Sequence, residues 1–184
     1  MAKTTQDLLS AFGKFNDKLE KQTKGRVKLR GFSDIDEYIH TGNYLLNAQM
    51  SGSLRGGYPN ARSLGIGGDP GTGKTFLCMN AIRNAQELGY AAFYIDTEGA
   101  LDSTDFKKFG IDTDLLNYKR IGIISEVKFF IDDIIKMAEG TPGLKMIIVV
   151  DSLTQLETNK EVDDRVKGSN AQDMGLRAKE LKQL

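Results

Sequence analysis

Residues 68–75 read Gly-Asp-Pro-Gly-Thr-Gly-Lys-Thr and fit the pattern G-x-x-x-x-G-K-[ST] at every defined position. The chemistry served by this spacing is capture of a nucleoside triphosphate. Gly68, Gly71 and Gly73, with Asp69, Pro70 and Thr72 between them, let the backbone curl until successive N–H groups point inward at the β-phosphate. Lys74 supplies a cation for the β- and γ-phosphates, and the Thr75 hydroxyl a ligand for Mg²⁺. A helix opening at this loop adds the favourable end of its dipole. ATP and Mg²⁺ are therefore the expected cofactors, with Phe76 closing the stretch expected to touch the nucleotide. A glycine-rich turn without nucleotide is the bland alternative, and the flanking strand and helix patterns argue against it. Two carboxylates extend the site. Asp151 closes the aliphatic run 146–150, where an acid holds the Mg²⁺ shell. Glu98 follows the strand-like stretch 91–96 and is placed to orient and deprotonate an attacking water. Asp96 is the competing base, and Glu98 the preferred one.

Such side chains need a sheet whose strands share one carboxyl edge, because ligands in open parallel sheets bind there. Apolar runs place strands at 63–68, 91–96, 118–124 and 146–151. Helical spacing places helices at 75–88, 105–109 and 126–139, stopped by Gly89, Gly110 and Gly140. This alternation predicts an α/β fold, a mostly parallel sheet with helices on both faces. Residues 158–173 are polar and unperiodic, hence a loop, and 174–184 read as a helix. Toward the N-terminus, Leu8, Phe12, Phe15 and Leu19 form a helical stripe over 5–21, and seven Lys/Arg crowd 14–30. Residues 1–35 are thus expected to form a basic amphipathic arm, and 36–184 the core.

Composition narrows the classes. With 184 residues, 40% hydrophobic and 27% charged, one domain and a short appendage are expected. Lys+Arg and Asp+Glu both number 25, so bulk charge does not announce a nucleic-acid partner, and any DNA contact must come from local patches. The run 146–150 is too short to span a bilayer and the first residues carry no apolar segment, so no membrane partner and a cytoplasmic address are expected. The lone cysteine, Cys78, lies in an apolar helical pattern and reads as core packing.

Tyr94-Ile95-Asp96-Thr97-Glu98-Gly99-Ala100-Leu101-Asp102, continuing through Phe109-Gly110-Ile111-Asp112, closely resembles the catalytic-glutamate segment of RecA-type recombinases. Ile147 with Val149-Val150-Asp151-Ser152-Leu153 is similar to their second acidic motif. Ser51-Gly52 with Gly56-Gly57, and Met174 with Arg177-Ala178-Lys179, are most similar to the phage UvsX-type members. The resemblance covers roughly residues 41–184 and implies a RecA-like ATPase core. It further implies a protein that polymerises with ATP into helical filaments on single-stranded DNA and pairs that DNA with a homologous duplex, with single-strand-binding and mediator proteins as further partners. By position, Glu98 matches the catalytic glutamate, Lys74 and Thr75 the phosphate and metal residues, Asp151 the second acid, and Asp102 a position near the adenine. Residues 158–173 match the first DNA-binding loop, and Met174-Gly175 the point where bases are splayed apart.

Some features depart from the family. Asp105 stands where an adenine-stacking aromatic is usual, with Phe106 as the substitute. The loop 158–173 sums to a charge of −1, so phosphate attraction falls to Arg177, Lys179 and Lys182, or to the basic arm. The same three cations also read as a solvated helix face, and the arm either packs on its own core or docks on a neighbouring subunit. The resemblance further places one more strand between 63–68 and 146–150, which makes the chain an expected portion of a protein about twice as long, marginally folded alone. The competing functions are a RecA-fold recombination mediator and a hexameric helicase-type motor; Lys74 and Glu98 together favour the hydrolysing recombinase.

Overall fold

The computed structural model describes residues 4–23, 35–168 and 174–184. Lys24, Arg26, Lys28 and Arg30 of the basic arm, and Asp173, lie outside the described residues. The chain divides into two units, Met1–Asp36 and Glu37–Leu184. Among its described residues the first holds one helix, α1 (Thr5–Thr23).

The second unit opens with a short antiparallel pair, β1 (Tyr38–Ile39) and β2 (Tyr58–Pro59), around the helix α2 (Tyr44–Ser51). It continues through α3 (Lys74–Glu87), β3 (Ala91–Asp96), α4 (Ser103–Lys108), a 3₁₀ turn (Thr113–Leu115), β4 (Leu116–Arg120), α5 (Ile124–Glu139) and β5 (Met146–Asp151). A second 3₁₀ turn (Leu153–Gln155), α6 (Asn159–Val166) and α7 (Met174–Leu181) follow. Strands β4, β3 and β5 pair in parallel in that order, with β3 central.

The two-residue period of β3 sorts its side chains onto two cores. Ala92 and Tyr94 join Met79 and Ile82 of α3, with Phe106 and Ile111. Ile95 turns to the other face and packs with Ile124 and Val127 of α5, and with Leu156. The sheet is therefore parallel and covered by helices on both faces, as the strand–helix alternation requires. Cys78 packs against the first cluster, and burial, then the charge of Asp151, raises its thiol pKa to about 11, which agrees with a packing role. No helix among the described residues is long and apolar enough to cross a membrane.

Segment 37–60 has a fold that its sequence did not announce. Buried Asn47 is its hub. Its Oδ1 accepts from the Thr41 N–H (2.9 Å) and hydroxyl (2.8 Å), while its Nδ2 donates to the Leu54 carbonyl (2.9 Å). Ile39 and Tyr58 then pack on Ala81 and Ala85, which fastens this segment to α3.

Three expected elements differ. Residues 63–68 form no strand and are exposed; no strand among the described residues lies beside them, and Gly65, Gly67 and Gly68 offer no side chain to bury. The strand expected at 118–124 lies at Leu116–Arg120 instead. Its register runs out where Asp96 pairs with Arg120, and Ile124 already begins α5. The loop expected at 158–173 contains α6, started by a reciprocal capping box between Thr158 and Glu161. That T-x-x-E signal is visible in the sequence, but the polar helix behind it carries no apolar stripe.

Candidate nucleotide-binding site

The loop before α3 is shaped by its glycines. Gly73 caps α3 at φ +92°, and Gly71 sits at φ +78°, conformations that a side chain disfavours. Thr72 turns its hydroxyl onto the Asp69 carbonyl (2.7 Å), and a Cβ at Gly68 would stand 2.7 Å from that hydroxyl oxygen. The Lys74 ammonium donates to the carbonyls of Gly68 and Asp69, both at 2.9 Å, folding the loop around its cation. Such a loop at a helix N-terminus, with a lysine inside it, has the make-up of an anion cradle.

Asp151 lies at the carboxyl end of β5, and the structure brings it to Thr75. The Thr75 hydroxyl donates to Asp151 Oδ2 at 2.6 Å, across 75 intervening residues. Tyr94, fully buried on β3, donates to the same oxygen at 2.8 Å. Among the described residues no group of three or more His, Cys, Asp or Glu could hold a metal. A magnesium ion needs no such group, because it takes one or two protein oxygens and completes its shell with water and phosphate. Thr75 and Asp151, two hard oxygen donors beside the cradle, fit that demand.

Glu98 lies on the loop leaving β3, at the same sheet edge, with its side chain exposed. It accepts from the Ser152 hydroxyl at 3.1 Å. Ser152 is itself clasped by Thr97, whose hydroxyl donates to the Ser152 carbonyl (2.7 Å) and accepts from its N–H (2.9 Å). Asp96 has a different part. Its Oδ1 accepts the N–H groups of Glu98 (2.9 Å) and Gly99 (2.6 Å), and its Oδ2 those of Leu101 (3.2 Å) and the Tyr118 hydroxyl (2.7 Å). Burial pushes the Asp96 pKa up, but the Tyr118 bond and the three N–H groups outweigh it, and the net shift is downward. A buried carboxylate filled by four donors has no lone pair to spare for water, so the competition for the base role favours Glu98.

The residues expected near the adenine are engaged in the fold. Asp102 caps α4, accepting from Thr104 N–H (2.7 Å) and Asp105 N–H (3.0 Å), and those bonds hold its carboxyl below the usual range. Asp105 in turn accepts from the Asp102 N–H (3.2 Å). Phe106 is 2% exposed inside the first core, so it cannot stand in as a stacking ring. Phe76, directly after Thr75, is 56% exposed and meets Phe109 edge-on at 5.4 Å.

Of the expected DNA residues, Met174, Gly175 and Lys179 are exposed on α7. Arg177 is half-buried, and its guanidinium donates to the Thr154 carbonyl. Thr154 shares a 2.8 Å hydroxyl contact with Ser152, so bonded groups run from Arg177 to Glu98. Sequence reasoning passed over Tyr94, Tyr118, Thr97 and Ser152. The signal for Tyr94 was its place two residues before Asp96, on the same face of a strand.

The RecA N-terminal domain family matches residues 10–184. The Protein RecA of Saccharopolyspora erythraea is 32% identical over 147 residues, 80% of this chain and 39% of that protein. The Protein RecA of Mycobacterium ulcerans is 32% identical over 145 residues, 79% of this chain and 39% of its own length. That of Mesoplasma florum is 31% identical over 147 residues, covering 79% and 41%. The chain spans about two fifths of the length of these relatives. Since the family match takes in nearly the whole sequence, the chain belongs to the RecA N-terminal domain family.

Proposed function

We propose that this chain is the ATP-binding portion of a DNA recombinase that forms filaments on single-stranded DNA and promotes homologous pairing and strand exchange. The observation that carries the reading is the meeting, at one sheet edge, of the phosphate loop, the Thr75–Asp151 pair and Glu98. In this reading Lys74 and the loop N–H groups hold the triphosphate. Thr75 and Asp151 hold Mg²⁺, which when bound neutralises phosphate charge. Glu98 takes the proton of the attacking water. The path from Arg177 through Thr154 and Ser152 to Glu98 supports a link between α7 and the hydrolytic centre. Membership of the RecA N-terminal domain family supports the DNA partner, the filament and a cytoplasmic site of action, and the UvsX-like residues around Met174 support a phage-type member.

The test is ATP hydrolysis by the intact protein with and without single-stranded DNA; turnover indifferent to DNA would refute the reading. Replacing Arg177 and Lys179 together by Ala is expected to weaken single-strand binding and flatten its salt dependence by up to about two counterions. Met174→Ala impairs pairing more than affinity, because an apolar wedge separates bases without supplying charge. An unchanged salt slope assigns the phosphate contacts to the basic arm instead.

Phe76 takes the stacking role in this reading, since Phe106 is buried and Asp105 caps a helix. Phe76→Ala is then expected to raise KM for ATP about fivefold, the value of one aromatic stacking contact, with kcat little changed. Steady-state kinetics with ATP decide it, and an unaltered KM removes Phe76 from the site.

A further inference from the structure

Two tyrosines repeat one relation across the sheet. Tyr94 on β3 pairs in register with Val149 on β5, and it donates to Asp151, two residues further along that strand. Tyr118 on β4 pairs with Tyr94, and it donates to Asp96, two residues further along β3. Side chains two apart share a face, so each phenol reaches diagonally toward the acid at the carboxyl end of its neighbour. The two rings stack with centroids 6.4 Å apart and planes 29° from parallel, and Phe106 meets both edge-on at 5.4 and 5.5 Å. Packed rings cannot swing, so their hydroxyls are fixed points in the sheet. Burial, and then the bond to Asp151, raises the Tyr94 pKa far above its ordinary value, and burial and the Asp96 bond push that of Tyr118 up to about 12, so both remain donors.

The two acids serve different halves of the site. Asp151 Oδ2 takes one donor from α3 (Thr75) and one from β3 (Tyr94), while among the described residues no hydrogen bond engages Oδ1. A carboxylate held from two elements keeps its orientation when the Thr75 hydroxyl oxygen turns its lone pairs to a cation. Asp96 instead gathers the N–H groups of the loop that bears Glu98.

We propose that Tyr94 and Tyr118 are positioning residues with separate duties, Tyr94 orienting Asp151 toward the divalent cation and Tyr118 holding, through Asp96 and the Leu101 carbonyl at 3.2 Å, the loop that presents Glu98. This rests on the nucleotide-site reading given above. The experiment compares Tyr94→Phe and Tyr118→Phe in the intact protein, both of which keep the ring and lose only the hydroxyl. Mn²⁺ binding to the ADP-loaded protein is titrated by electron paramagnetic resonance, and ADP affinity is measured separately in EDTA. Tyr94→Phe is expected to weaken Mn²⁺ binding about tenfold, the loss of one bond to a charged group, with metal-free ADP affinity unchanged. Tyr118→Phe leaves Mn²⁺ affinity within about twofold and lowers kcat for ATP about fivefold at constant KM. Mn²⁺ affinity unmoved in Tyr94→Phe, or moved equally in both variants, would overturn the assignment. A parent protein that binds no ADP would overturn the nucleotide-site reading itself, and this inference with it.

Discussion

Glu98→Gln lowers steady-state ATP hydrolysis about 10²-fold while nucleotide affinity stays close to the parent's. The separation follows from the geometry. In the proposed reading binding draws on the loop at 68–75, where Lys74 folds onto Gly68 and Asp69, while Glu98 is bonded to Ser152 and not to that loop. The amide keeps the size of Glu98 and an acceptor for the Ser152 hydroxyl, so the loop conformation survives. Only the proton transfer from water is lost. In the proposed reading, filaments formed with ATP on single-stranded DNA then persist longer than the parent's. Single-turnover hydrolysis and equilibrium nucleotide binding check the two halves of the expectation, and equal turnover in the two proteins would return the base role to another group.

Asp96→Ala has the largest expected effect on stability. Asp96 is 3% exposed, and its removal leaves three N–H groups without their acceptor and the Tyr118 phenol with only the Leu101 carbonyl at 3.2 Å. Stranding buried donors costs about 3–5 kcal/mol, a shift of melting temperature on the order of 10 °C in a chain of this size. The same carboxylate confers a pH dependence whose sign is fixed. Its pKa is lower folded than unfolded, so its stabilisation is fully present above the unfolded value of about 3.9 and is lost as pH falls through the folded one. Thermal melting between pH 7 and pH 3 shows this in the parent, and the Asp96→Ala curve should lack that component. A variant that melts within a degree or two of the parent at pH 7 would mean that water replaces the carboxylate.

How much of this was legible beforehand depended on whether a residue acts locally. The phosphate loop is one contiguous pattern, and β3 and β5 are apolar runs long enough to end where they were placed, at Asp96 and Asp151. Thr75 and Asp151 were each expected at one metal from their types and places, and that the two bond to each other is seen only in the fold. Asp96 was harder, because a strand-end acid looks the same whether it meets water or its own loop. Only the register that brings Tyr118 beside it, and the turn that folds Gly99 and Leu101 back, settle the matter. Residues 63–68 misled for the opposite reason: apolar character marks a strand only when a neighbour supplies the ladder. Helix α6 hid behind a polar surface, and its single clue was the Thr158–Glu161 box. The hub at Asn47 depends on contacts with Thr41 and Leu54, which no period in the sequence encodes.

Strand β5 has a consequence for how the protein behaves in a tube. Among the described residues, its five aliphatic residues, Met146 to Val150, bond to β3 along one side only, and every position on it is half-buried. Edges of this kind are usually guarded by a lysine, a proline or a bulge, and residues 146–150 contain neither of the first two. The formal charge of the chain is zero, so no long-range repulsion keeps copies apart. Among the described residues the outer edge of β5 is thus a ready template for strand addition, and what is laid along it governs how this part of the chain behaves at high concentration.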